Sequence, residues 1–384
     1  LLCYTFPMIL SSIEAQCFRN LGGRISWGEG LNILHGNNGQ GKSNWLEAIH
    51  LLTHTKSFRT QRLQETIKFG EGCASVYGNL KQGEVIRELR ITLTGNTKQI
   101  FVNDRREPFT RYVGQISAVA FTADELDVVR GVPEARRRFL DRGAASLHPA
   151  YTQTLIDYKQ VIKQKSRLLQ DALDNGFSLD KLNELVTPWN DQLIQLAATI
   201  HKERSSYVER LNGTLEQNLF DDQVSIRHVS SLEGKGSLNE YESLISDRLT
   251  LRLPAELSAG TCLIGPHRDD LEILFAGRDL RTFGSSGQQR SALIALDLAA
   301  ISVYNSKHQD YPIFLIDDID AELDAIRIAR LLEYLDQRVQ TFITTSKKGY
   351  FENSIGRANF YEISNGLATQ EDGSASLLAL AGGV

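Results

Sequence analysis

The chain has one methionine, eight prolines and four cysteines among 384 residues, and it has no long apolar run. Each scarcity excludes something. Cys3, Cys17, Cys73 and Cys262 are too few and too scattered for a disulfide framework, and none pairs at metal-ligand spacing. The most apolar stretch, residues 1–10, is broken by Tyr4, Thr5 and Pro7. It is too short to span a bilayer and lacks the basic start of a signal peptide. The expectation is therefore a cytoplasmic protein without a membrane partner. Met8 is the single methionine, which makes the seven residues before it candidates for a start-site artefact. An excess of positive charge is also missing. The net charge of −5 argues against coating nucleic acid by bulk charge and leaves only local basic patches for that purpose. His50 and His54 would share a helix face, but no third ligand in a recognisable motif accompanies them.

What is present is concentrated in three places. The short apolar segment Leu31 to Leu34 runs into Gly36-Asn37-Asn38-Gly39-Gln40-Gly41-Lys42-Ser43, a full phosphate-binding loop between a strand and a helix. Its glycines let backbone N–H groups close around phosphates, and the helix starting near Lys42 adds its N-terminal dipole. In this motif Lys42 reaches the β- and γ-phosphates of ATP, and the Ser43 hydroxyl ligates Mg²⁺. Trp45, Leu46, Ile49 and Leu52 then follow at helical spacing and point that helix's apolar face to a core.

Much later, Ile313-Phe314-Leu315-Ile316 ends in Asp317 and Asp318. This pattern is a buried parallel strand that delivers two acids to its C-terminal edge. Asp317 is placed to hold Mg²⁺, and Asp318 to orient or deprotonate an attacking water. Between the two motifs, Phe283-Gly284-Ser285-Ser286-Gly287-Gln288-Gln289-Arg290 passes into a clear helical pattern. Such a helix start suits an anion, although a generic Ser/Gly loop would look the same.

The order P-loop, Ser-x-Gly-Gln-Gln, acidic strand end and Ala321-Glu322-Leu323-Asp324 resembles the ABC-type ATPase heads. Within that class the chain resembles the RecF recombination and repair proteins, relatives of the SMC family. The P-loop with Asn44, Lys56-Ser57-Phe58-Arg59, Arg136 to Asp141, Gly265-Pro266-His267-Arg268-Asp269-Asp270, the Ser285 to Arg290 signature and Asp317-Asp318 carry the match. The resemblance implies an α/β P-loop fold, a mixed sheet with flanking helices, and an inserted mainly helical lobe with a short antiparallel arm. It implies a head-to-tail homodimer in which ATP on Lys42 of one copy is closed by Ser285, Gly287 and Gln288 of the other, with Asp324 on the loop crossing that interface. Thr345 falls where such ATPases carry a switch residue sensing the γ-phosphate. It further implies a RecR-type partner, assistance to RecA loading at single-stranded gaps, and a part in SOS induction.

Four positions depart from the pattern. Ser43 stands for the usual Thr and keeps the hydroxyl. Ser286 stands where the family often has Gln, which weakens part of the contact between copies. Asp318 replaces the Glu of most ABC ATPases, as in other RecF proteins, and its side chain is one methylene shorter. Slow hydrolysis, suited to a switch, is the expectation. Ala123 stands for a usual Pro and is read as a local loop change.

Alternating Val85, Arg87, Leu89, Ile91 and Leu93, then Ile100 and Val102, with a turn at Gly95-Asn96, predict a β-hairpin region. Two apolar stripes, Leu155 to Leu169 and Trp189 to Tyr207, predict long helices joined near Asp174-Asn175-Gly176. Strand pattern returns at 223–229 and 271–275. These signals set expected boundaries at 1–115 for the N-terminal ATPase part, 116–250 for the helical lobe and 251–384 for the C-terminal ATPase part. Lys56, Arg59 and Arg62, and the pair Arg105 and Arg106, are the candidate DNA contacts. Arg136, Arg137 and Arg138 form a third group, which Asp141 suggests is partly paired internally. Basic clusters are usually solvated faces; with the resemblance, they suggest backbone contact with duplex near a gap or a junction with single-stranded DNA. A transporter ATPase would place its signature much nearer the P-loop than the 243 residues between Lys42 and Ser285. An SMC-type chromosome-associated head would need a longer coiled coil.

Overall fold

The computed structural model describes residues 7–215, 223–336, 338–352 and 358–371. By its internal contacts the chain divides into two units. One contains residues 1–126, 217–222 and 285–384, and the other residues 127–216 and 223–284. These boundaries lie further along the chain than the expected 115/116 and 250/251.

Among the described residues, the first unit contains two six-stranded sheets. In one, Leu31–His35 lies between Asn359–Ser364 and Thr341–Thr345, followed outward by Ile313–Ile316 and Ala118–Phe121; all these pairs are parallel. Leu367–Gln370 closes the other edge as an antiparallel hairpin strand, so the sheet is mixed. Parallel strands buried on both faces read as unbroken apolar runs, and Ile313–Ile316 is buried throughout. The second sheet is antiparallel and runs from Gly23–Ser26 through Ile9–Gln16, Cys73–Gln82, Val85–Thr94 and Thr97–Val102 to Arg105–Arg106. Its alternation follows the sequence over Leu89, Ile91 and Leu93, which are buried, whereas Val85 at the start of the strand is exposed; the turn at Gly95-Asn96 joins Thr94 to Thr97.

The helix Lys42–His54 packs between the sheets. Trp45, Leu46, Ala48, Ile49, Leu51 and Leu52 are buried in one cluster with Leu10, Val76 and Ile91 of the antiparallel sheet and Leu34, Leu315 and Phe342 of the parallel one. Burying several such side chains contributes roughly 1.5–3 kcal/mol each, which fixes the helix start against the strand ends.

The second unit is mainly helical. Tyr151–Asp174 and Leu179–Leu215 pair antiparallel, joined at Asn175 and Gly176 as the sequence predicts, with Gly176 at φ +62°. Pro133–Leu147 and Tyr241–Ala259 complete the helical layer, and Val224–Val229, Asp270–Phe275 and Arg278–Asp279 form a three-stranded sheet. Its basic run is largely paired. Arg136 holds Asp270 through two bonds of 2.6 and 3.0 Å, Arg137 donates to the Asp269 carbonyl and Arg138 to Glu134. Asp141 instead takes Arg204, 63 residues away. Lys165 and Glu256 form an ion pair of 2.7 Å with both side chains fully buried. No helix among the described residues is long and apolar enough to cross a membrane.

Candidate nucleotide site

The parallel sheet brings three strand ends side by side, those of Leu31–His35, Thr341–Thr345 and Ile313–Ile316. The loop Gly36 to Gly41 leaves the first of them. Gly36 and Gly41 have φ of +142° and +108°, a region that L side chains rarely adopt. A Cβ at Gly36 would lie 2.5 Å from the Ile363 carbonyl oxygen, and one at Gly41 would lie 2.9 Å from Asn20 Oδ1. Only glycine fits either place. Asn37, Asn38 and Gly39 are exposed, while Gln40 is held by the Asn365 amide on its side chain and the Gly366 amide on its carbonyl.

The helix that follows has no side-chain cap and no acid in its first turn. Its leading N–H groups are the donors a helix N-terminus offers to an anion. Lys42 is buried, and its ammonium donates to the Gly36 and Asn37 carbonyls at 2.7 and 3.0 Å. Burial lowers its pKa, against the pull of Asp318, Asp320 and Asp317. Ser43 is half-buried. Asn44 donates to Asn20 at 2.7 Å and accepts from Arg59 at 2.8 Å. Behind the helix, Arg19 clasps buried Glu47 through two bonds, and Ser57 donates to the same carboxylate.

At the neighbouring strand end, Asp318 adopts a left-handed conformation with φ +52°, a strained place for a non-glycine residue. Loss of water around its carboxyl, together with nearby Asp320 and Asp317, raises its pKa above the ordinary carboxylate value, while Lys42 acts in the opposite sense. Thr344 links the acids: its hydroxyl donates to Asp317 Oδ1 and accepts the Asp318 amide, both at 2.7 Å. Thr345 donates to Asp320 Oδ1 at 2.7 Å, and Ser346 donates to Asp320 Oδ2 at 2.7 Å. Burial would raise the Asp320 pKa, but the Thr345 and Ser346 bonds hold it below the usual value. Thr344, Asp320, Asn20 and the Arg19–Glu47 clasp escape the sequence reading. The acid at 320, two beyond Asp318, and the doubled threonine closing a strand were the available signals.

Ser285 and Asp324 each cap a helix. Ser285 Oγ accepts the Gln288 amide at 3.2 Å while Gln288 Oε1 accepts the Ser285 amide at 2.9 Å, a reciprocal capping box on Ser286–His308. Asp324 accepts the Arg327 amide at 2.9 Å at the start of Ala325–Leu335. Arg290 pairs with Glu322 and so ties the signature helix to the segment before Asp324. Among the described residues, no hydrogen bond or ion pair joins Ser285, Gly287 or Gln288 to Gly36–Asn44. The structure brings Lys42 to the three acids and leaves the signature to its own cap.

The basic candidates are dispersed. Lys56 and Arg62 are exposed, and Arg62 lies 4.0 Å from Glu65. Arg59 is turned to Asn44. Arg105 and Arg106 are both exposed on the edge strand of the antiparallel sheet.

A P-loop and an acidic strand end on one mixed sheet, with a helical unit inserted between them in sequence, define an ATPase head of the ABC and SMC type. The family model "RecF/RecN/SMC N terminal domain" matches residues 9–369. The chain belongs to the RecF family. It is 34% identical over 381 residues to the DNA replication and repair protein RecF of Lactobacillus johnsonii, covering 95% of this chain and 100% of that protein. It is similar to a solved structure described as the recombination mediator protein RecF with ATP in the RecFOR pathway, with a TM-score of 0.87, 28% identity, and coverage of 97% and 100% of the two chains. An Smc head domain with a coiled coil from Pyrococcus yayanosii, at TM-score 0.57 and 13% identity, shares the fold, with 95% and 97% of the two chains covered.

Proposed function

We propose that this chain is an ATP-dependent DNA-binding protein of recombinational gap repair, a homodimer when ATP is bound and a slow ATPase that resets itself. The observation that carries this reading is the separation within the first unit. Lys42 sits with Asp317, Asp318 and Asp320, while Ser285 and Gln288 are closed on each other with, among the described residues, no bond to the P-loop. A second copy, turned head to tail, would supply Ser285, Gly287 and Gln288 to the nucleotide on Lys42, with Asp324 beside the same interface.

ATP and Mg²⁺ suit the residues present. The loop that needs glycine at Gly36 and Gly41 and the uncapped helix start would take the phosphates, and Ser43 and Asp317 would hold the metal, which neutralises phosphate charge. Asn37, Asn38, Gly39, Gln40, Gly41 and Asn44 would frame the phosphates. Asp318, its pKa raised, would accept the proton of a positioned water. Thr345, held by Asp320, would report the γ-phosphate to the strand end. Lys56, Arg59, Arg62, Arg105 and Arg106 would contact duplex backbone near a gap. Relatives described as RecF in the RecFOR pathway support a RecR-type partner and assistance to RecA loading, and with them a part in replication repair and SOS induction.

The test is the affinity for gapped duplex with and without ATP. Tighter binding with ATP, lost in Lys42→Met, is expected. Equal affinity in both conditions would overturn the proposal.

A further inference from the structure

In the second unit three ligand-type side chains converge from separate elements. His201 lies on the helix Leu179–Leu215, His228 on the strand Val224–Val229, and Asp269 directly before the strand Asp270–Phe275. One nitrogen or oxygen from each lies within 4.8 Å of the other two. His228 Nε2 and Asp269 Oδ2 are 3.3 Å apart, with side chains 5% and 0% exposed. The His201 and His228 rings are 5.2 Å apart between centroids.

His201 Nδ1 is a buried atom without a hydrogen-bond partner, and the buried His228 Nε2 and Asp269 Oδ2 face each other at 3.3 Å in a poorly aligned pair. A buried ring nitrogen without a partner beside such a pair is uncommon, and an ion held by all three would satisfy it. Asp269 and His228 are each fixed through their other polar atom. Asp269 Oδ1 accepts the Ser231 amide at 2.7 Å, and His228 Nδ1 lies 3.0 Å from Ser205 Oγ. In the tautomer whose Nδ1 donates to that hydroxyl, Nε2 presents its lone pair to an ion; in the other, Ser205 donates to Nδ1 and Nε2–H faces Asp269 Oδ2. The His201 ring stacks on Tyr241 at 4.2 Å. Outer contacts of this kind fix ring orientation and tautomer around metal ligands.

We infer that His201, His228 and Asp269 form a binding site for a divalent transition-metal ion of the zinc class. Two imidazoles and a carboxylate match the nitrogen and oxygen donors zinc accepts, with a water in the fourth position, whereas Mg²⁺ prefers oxygen alone. Arg204 is the opposing charge, with Nη1 3.7 Å from Asp269 Oδ2. Three of its N–H groups donate elsewhere, Nε and Nη2 to Asp141 and Nη1 to the Pro266 carbonyl, so Asp141 offsets much of that charge. Such an ion would staple the long helix, the sheet and the Gly265–Asp270 segment together, and its binding energy would add to folding.

The full chain, stripped with chelator and free of nucleotide, is titrated with Co²⁺ in excess Mg²⁺, which occupies oxygen-rich sites. The expected result is one equivalent with visible d–d bands, displaced by Zn²⁺, and a higher melting temperature with Zn²⁺. His201→Gln and His228→Gln are each expected to bind at least about tenfold more weakly, while Asp317→Asn binds as the wild type does. The wild-type titration is decisive even where a variant folds poorly: absence of one-equivalent binding overturns the inference. So do bands unchanged in folded His201→Gln and His228→Gln, or bands abolished by Asp317→Asn.

Discussion

The Thr344 hydroxyl donates to Asp317 Oδ1 at 2.7 Å, and the same oxygen accepts the amide of Asp318. One buried side chain on the neighbouring strand thus orients the proposed metal-holding acid and anchors the backbone of the proposed base. Thr344→Val keeps the shape and removes both bonds. ATPase turnover is expected to fall by roughly ten- to a hundredfold, the range seen for groups that orient metal ligands, with a smaller change in ATP affinity. Steady-state kinetics beside nucleotide titration separate the two, and unchanged turnover would remove the positioning role.

Asp318 combines a left-handed backbone with a carboxyl whose pKa is raised by lost water and by Asp320 and Asp317. A raised carboxyl pKa in the folded state means that this group contributes stability at acid pH, below its unfolded value, and loses that contribution as pH rises through the folded value. At neutral pH it is therefore a source of destabilisation. Asp318→Asn keeps a residue tolerant of the left-handed region and removes the charge. It is expected to melt at a higher temperature than wild type at neutral pH, with the gain shrinking as pH falls into the carboxylate range. Its turnover should be nearly abolished. A melting series across pH, run beside the ATPase assay, checks both.

Much of this site was legible because its motifs are local. Gly36 to Ser43 is contiguous, and Ile313 to Asp318 announces a buried strand with acids at its end. The helical pair and its turn at Gly176 followed from spacing alone. What escaped depends on partners far apart in sequence. Thr344 meets Asp317 only because two parallel strands are neighbours, and Glu47 meets Arg19 across 28 positions. Arg136 finds Asp270 134 residues away, whereas the nearer Asp141 takes Arg204. The trio His201, His228 and Asp269 follows no spacing rule and exists only after folding.

Lys165 and Glu256 test how the helical unit bears buried charge. Removing one partner of a fully buried pair strands the other, a loss of about 3–5 kcal/mol, whereas replacing both with apolar groups is often neutral or better. Lys165→Met should therefore lower stability strongly, and Lys165→Met with Glu256→Met should recover most of it. Denaturant unfolding of the two proteins gives the comparison. Equal loss in both would point to packing alone.

Arg105 and Arg106 lie exposed on the sheet edge, remote in sequence from the nucleotide motifs. If they contact phosphates, replacing both by Ala weakens duplex binding similarly for all sequences and lowers the salt slope by about one per arginine. ATP binding should be unaffected. DNA titrations over a range of salt concentrations measure the slope, and an unchanged slope would place the DNA surface elsewhere.

The completion of one copy's nucleotide site by the Ser285 signature of another is best tested by molar mass. Light scattering on Asp318→Asn protein, slow to consume ATP, is compared with the same protein carrying Ser285→Arg, each with and without ATP and Mg²⁺. The expected result is a two-chain mass with ATP for the first and a one-chain mass for the second, although both bind ATP. A one-chain mass for the first, or an ATP-driven dimer of the second, would contradict a site shared between copies.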